Sequence, residues 1–257
     1  MSRRIGLSLA ALSLPLLAPF SLPAQQGEPT VYTYVAEWRI ARGQQEAFMS
    51  HFDQHSKPVL DRLVSDGTLT EWARGAEVVH TEGGMTHSVW WAGSTIAGVQ
   101  KALDELAKLP PNPSMSGIEK HRDQLLRSIV YRARGSGHLT GFIHLSNTRV
   151  KSGKGREWRE LWDKYAKPTY EELFNDGTLV AYGIDAEWLH TDDPGNRFVW
   201  HITANAAGID KVEAAFAARR AKETPESGRA IAAAFADVTV GETHRDGLSY
   251  LTHYVRK

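Results

Sequence analysis

The sequence predicts an α+β fold built from two copies of one βαββαβ unit, and three observations predict it. The tetrapeptide Asp66-Gly67-Thr68-Leu69 returns 110 positions later as Asp176-Gly177-Thr178-Leu179. At the same offset about twenty of about 77 positions are identical without a gap, among them Arg39 with Arg149, Gly43 with Gly153, Lys57-Pro58 with Lys167-Pro168, and Trp90 with Trp200. Within each copy, stretches of period two and stretches of helical period follow one another in the same order.

Residues 31–38 alternate and are rich in aromatic and β-branched side chains, which makes them a strand, and 142–146 are their twin. Residues 44–64 and 154–174 place Phe48, Phe52, Leu60 and Leu63, or Trp158, Trp162 and Leu173, on one helical stripe. Pro58 and Pro168 lack the amide hydrogen of a helix interior, so each helix should kink or restart there. The repeated Asp-Gly-Thr-Leu then reads as a helix stop followed by a strand start: glycine takes the left-handed position after a helix, and Thr-Leu begins the next strand.

Strand two runs from Thr68 towards His80, and strand three covers 88–91 in the first copy and 198–201 in the second. A second helix covers 96–108 and 207–222, Pro110 to Pro113 end it in the first copy, and the last strands cover 127–132 and 248–255. His121-Arg122-Asp123 is answered by His244-Arg245-Asp246 at an offset of 123, so the second copy carries 13 extra residues, placed around 224–241 and read as a functional loop. Gly135-Ser136-Gly137 reads as the linker. The expected organisation is a signal peptide over 1–24, a first repeat over 25–135 and a second over 136–257.

Thirty basic and thirty acidic residues cancel, which argues against a nucleic-acid partner. The chain has no cysteine, so disulfides, thiolate nucleophiles and cysteine-held metals are excluded. Arg3 and Arg4 precede an apolar run over 5–17, and Leu22-Pro23-Ala24 offers a cleavage point, the layout of a secretory signal cut after Ala24. Arg3-Arg4 also approaches a twin-arginine signal but lacks its usual Phe and Lys, so the ordinary export route is preferred. A periplasmic or secreted protein, with no membrane partner after cleavage, is expected.

With this element order, the strand-Arg-x-x-x-Gly-helix passages at Arg39 to Gly43 and Arg149 to Gly153, and the duplication, nearly the whole mature chain resembles the ferredoxin-like dimeric α/β-barrel superfamily, with its antibiotic-biosynthesis-monooxygenase-like, EthD-like and NIPSNAP-like members. The resemblance implies two ferredoxin-like units packed sheet to sheet, here an intrachain version of what is usually a homodimer; a further homodimer of the fused chain stays open. Haem-binding members carry an Asn, Trp and His combination that has no residue-by-residue match in this chain, and the expected cofactor is none.

If Ile143 and Leu145 face the helices, then Phe142, His144 and Ser146 point into the barrel, and the same parity sends Tyr32, Tyr34, Ala36 and Trp38 inward. Such an aromatic interior suits a small apolar or aromatic ligand, with Trp200 as a further stacking ring against a core reading of it. His144, His201 and His253 sit on strands that neighbour one another in such a sheet and are the candidate bases; their spacing matches no metal motif, and no metal is assigned. Glu77-x-x-His80 and Glu187-x-x-His190 read as holding the fold or joining the units, and His-Arg-Asp as an ion-paired strand entrance. Three functions follow: a ligand-binding or cofactor-independent monooxygenase or isomerase; a non-catalytic, stress-associated or interaction module; and a haem- or metal-binding barrel, which needs the histidines to cluster.

Overall fold

The computed structural model describes residues 30–190 and 194–257, so the signal segment lies outside the described residues. The first half runs β1 (Tyr32–Ile40), α1 (Gln45–Ser65), β2 (Glu71–Glu77), β3 (His87–Gly93), α2 (Ile96–Leu106), a short 3-10 helix (Pro113–Gly117) and β4 (Ile118–Ala133). The second runs β5 (Gly137–Arg149), α3 (Gly155–Tyr165), α4 (Lys167–Asn175), β6 (Leu179–Glu187), β7 (Asn196–Thr203), α5 (Ala206–Arg220), α6 (Pro225–Val238) and β8 (Arg245–Arg256).

The strands lie in the order β4-β1-β3-β2 and β8-β5-β7-β6, and the pairings β2 with β8 and β4 with β6 close them into one antiparallel barrel of eight strands. Closure leaves no free sheet edge between the halves. It also explains why β4 is longer than its apolar stretch suggests. Its first part pairs with β1, and its second, after a register shift between Ser128 and Val130, pairs with β6. Val130 thereby packs under the helices of the second half, while Tyr131 turns into the barrel.

Asp66 and Asp176 cap α1 and α4, Gly67 and Gly177 follow at φ +81° and +85°, and the aspartate side chains accept from the backbone amides of Thr68 and Thr178 at 2.9 and 2.8 Å. The repeated tetrapeptide is thus a helix stop. The two prolines act differently. Pro58 sits inside an unbroken α1, whereas Pro168 lies in the first turn of α4 after a break at Ala166. The extra residues of the second copy form a helix rather than a loop: Thr224 accepts from the Ser227 amide, Pro225 opens α6, and Val238 packs into the core of that half. No helix among the described residues is long and apolar enough to cross a membrane.

Both faces of the sheet are covered. Outside, α1 and α2 bury Trp72, Val89 and Trp91, and the helices of the second half bury Tyr182 and Ile184. Inside, Trp90, Tyr131, Trp200, Ile202, Leu251 and Tyr254 meet from both halves.

Candidate functional site

The barrel encloses a cavity of about 630 Å³, walled by Trp90 and Trp200 with Val35, Leu126, Ile143 and Leu145. The two tryptophans are equivalent positions of the repeat, and so are Tyr131 and Tyr254 below them and Arg122 and Arg245 at the mouth. The acids break this symmetry. Glu71 corresponds to Ala181 in the other half, and Asp185 to Gly75.

Glu71 lies at the floor, 4% exposed, where its Oε2 accepts from the hydroxyls of Tyr131 at 2.6 Å and Tyr254 at 2.7 Å. Burial raises its pKa against the two hydrogen bonds, and burial raises both phenols too, so the tyrosines stay donors. Asp185 accepts from Ser128 Oγ at 2.6 Å and from the Trp200 indole at 2.8 Å. Burial, reinforced by the charge of Glu71, pushes it up to about 6. Gly183 leaves room for that indole: a Cβ there would lie 2.6 Å from the Trp200 ring. Trp90, facing Gly75 instead of an acid, makes no side-chain hydrogen bond among the described residues. Near the mouth Glu77 accepts from Ser249 of the other half at 2.6 Å, an inter-unit contact within the cavity wall.

The sequence reading of the strand faces is inverted. Thr33, Val35 and Glu37 line the cavity, whereas Tyr32, Tyr34 and Trp38 pack on the helix side. Tyr34 stacks on Trp91 at 4.7 Å, Trp38 stacks on His121 at 5.4 Å, and Tyr32 meets the edge of Trp188. Ile143 and Leu145 point inward, so Phe142 meets Tyr250 on the outer face and Ser146 Oγ meets His244 Nε2 at 2.9 Å. That histidine presents the same Nε2 to Asp246 at 3.3 Å, which rules out a serine-histidine-aspartate relay. Of the expected ligand-binding residues, Trp200 lines the cavity.

The histidines separate in the same way. His144 and His201 are cross-strand partners stacked at 5.0 Å, and His201, 4% exposed, packs on Tyr170 of α4. Burial, together with His144, holds His201 down at about 3, and neither ring nitrogen has a partner among the described residues. His144 borders the cavity, but its ring lies on this helix side. His253 sits elsewhere, between Trp72, His138 (Nε2 to Nδ1, 2.7 Å) and Asp61 (3.4 Å), and burial holds it down at about 4. No group of three such ligands among the described residues is placed to hold a metal ion. With the imidazoles of His144, His201 and His253 turned to the helices, the cavity residues do not fit a haem held by any of them. Sequence reasoning missed Glu71 and Asp185, although each is an acid at the inward parity of a strand whose neighbours are apolar.

Among solved structures, a candidate monooxygenase of Lactobacillus acidophilus aligns with a TM-score of 0.58 and 9% identity over 88% of this chain and 96% of its own. An anthrone oxidase-like protein aligns at 0.51 with 8% identity, covering 89% and 94%. The fold is that of the dimeric α/β barrels. A chlorite dismutase variant of Candidatus Nitrospira defluvii aligns at 0.50 with 8% identity, covering 85% and 90%. No family model and no curated protein matches the sequence. Three differently named proteins on one barrel mean that the reaction must be argued from this cavity.

Proposed function

We propose that this chain is an exported, small-molecule-binding α/β-barrel enzyme that moves a proton on a small apolar or aromatic compound without a cofactor, as an isomerase or a monooxygenase. Asp185 carries the reading. A carboxylate poised at about 6 inside an apolar cavity is mostly ionised at neutral pH, yet basic enough to take a proton from an activated C–H or O–H. Glu71, raised by its burial and hydrogen-bonded by Tyr131 and Tyr254, is the second carboxyl of the cavity, and with the two phenols it forms the polar floor beneath the substrate. Trp90 and Trp200 hold the ring of the substrate.

In the isomerase form the proton taken by Asp185 returns to another carbon. In the monooxygenase form the deprotonated substrate reduces dioxygen, one oxygen atom entering the product as a carbonyl and the other leaving as water. The candidate monooxygenase and the anthrone oxidase-like protein on the same fold favour the second form.

Native mass spectrometry of protein taken from its own compartment is expected to show a retained organic ligand, on a chain beginning at Gln25 if export is correct. Asp185→Asn should keep that ligand and lose turnover by at least about 100-fold, the scale of a missing general base, while His144→Ala turns over normally. Full turnover by Asp185→Asn sinks the reading.

A further inference from the structure

The mouth of the cavity departs from the repeat symmetry in its charges. In the first half Arg122 is neutralised by Glu37, to which it donates from Nε at 2.8 Å and Nη2 at 2.5 Å. In the second half the position of Glu37 is Asn147, and Arg245, the equivalent of Arg122, has no carboxylate partner among the described residues. Arg245 Nη1 donates instead to the backbone carbonyls of Glu242 at 2.8 Å and His244 at 2.6 Å. Glu242 holds the left-handed conformation at φ +61°, the one non-glycine residue to do so among those described. A strained backbone thus fixes an uncompensated cation at the rim.

Two amides lie beside it. Gln124 is 6% exposed, lines the cavity, and makes no side-chain hydrogen bond among the described residues. Asn147 has its side-chain oxygen buried without a partner. Buried polar groups are normally satisfied, and an amide offers either a donor or an acceptor by a half-turn of its terminal group. A guanidinium, the cavity-facing amide of Gln124 and the unsatisfied amide of Asn147 around one opening match the oxygens of an anion.

We infer that the ligand is an amphipathic aromatic acid: its ring system lies between Trp90 and Trp200, and its anionic group is held at the mouth by Arg245, Gln124 and Asn147. This rests on the cavity reading above and adds the charge of the substrate.

The test uses two fluorescent probes with one carbon skeleton, 1-anilinonaphthalene-8-sulfonate and its neutral counterpart N-phenyl-1-naphthylamine. Each is titrated into the wild-type mature chain, Arg245→Gln and Gln124→Leu. Both probes should bind the wild type one to one. Arg245→Gln should weaken the sulfonate about 10-fold and Gln124→Leu about 3- to 10-fold, the range for one charged or neutral hydrogen bond, with the neutral probe changed less than about 2-fold. Raising the salt concentration should weaken the sulfonate alone. If both probes bind and neither variant alters their affinity ratio, the anion clamp is wrong while the cavity reading stands. If neither probe binds, the cavity reading falls and the clamp with it.

Discussion

Asp185 carries a cost that its surroundings only partly offset. Its side chain is buried in the cavity wall, and its two hydrogen bonds do not prevent burial from lifting its pKa from 3.8 to about 6. A group raised in the folded state contributes stability that is fully present below its unfolded value and lost as pH rises through its folded value. From about pH 4 to pH 6 the folded chain therefore progressively loses stability through this residue, and above that it carries the full penalty, at most roughly 3 kcal/mol for a shift of this size. Asparagine can accept from the Trp200 indole with its oxygen and donate to Ser128 with its amide, so Asp185→Asn should be more stable than the wild type at pH 8, by about 1–3 kcal/mol. The gain should vanish by pH 4. Urea unfolding at the two pH values measures it, and a variant that is less stable than wild type at pH 8 contradicts the account.

At the scale of elements, the sequence carries the period of each strand but not its phase. Alternation assigns one face to water when one face is wet. Here β1 puts Tyr32, Tyr34 and Trp38 against helices and Thr33, Val35 and Glu37 into the barrel, so neither face meets bulk water, and the polar side chains that would mark a wet face line the cavity instead. The repeat held the missing signal. At adjacent positions of strand three the duplication keeps Trp90 as Trp200 but exchanges Trp91 for His201, and the retained ring is the one in the cavity. The acids were missed for the same reason, because Glu71 and Asp185 gain meaning only when the inward parity is known. The insertion is legible as a helix, since Thr224-Pro225-Glu226 is a capped start and an alanine-rich stretch follows, although a length difference between repeats by itself suggests a loop. The polar start of β4 hides a strand because Glu119 and Lys120 lie exposed, and pairing with β1 rather than burial fixes the backbone there.

The whole molecule depends on two seams, β2 with β8 and β4 with β6, which join halves linked by only a few residues around Arg134 to Ser136. Polar groups tie them as well as apolar ones. Glu71 of the first half accepts from Tyr254 of the second, Ser249 donates to Glu77, and Asp61 of α1 meets His253 of β8. Each half alone would expose two long strand edges and its share of the interior, including Trp90 or Trp200. The linker therefore raises the local concentration of one half near the other and adds two hydrogen bonds, Arg134 N to Val180 O at 3.0 Å and Arg256 Nη1 to Gly135 O at 2.7 Å, while the ladders of both seams lie outside it. Expressed as separate chains, 25–135 and 136–257 should copurify as a one-to-one complex, and that complex should bind N-phenyl-1-naphthylamine as the intact chain does. Halves of one fold can also pair with themselves, but only the mixed complex brings Glu71 together with both Tyr131 and Tyr254 and with Asp185, so mixing should draw both self-associated forms into it. Native mass spectrometry reads the composition directly. Two stable, folded monomers that ignore each other would show that the seams do not hold the barrel, and a cavity shared between the halves could not then be the site of the chemistry.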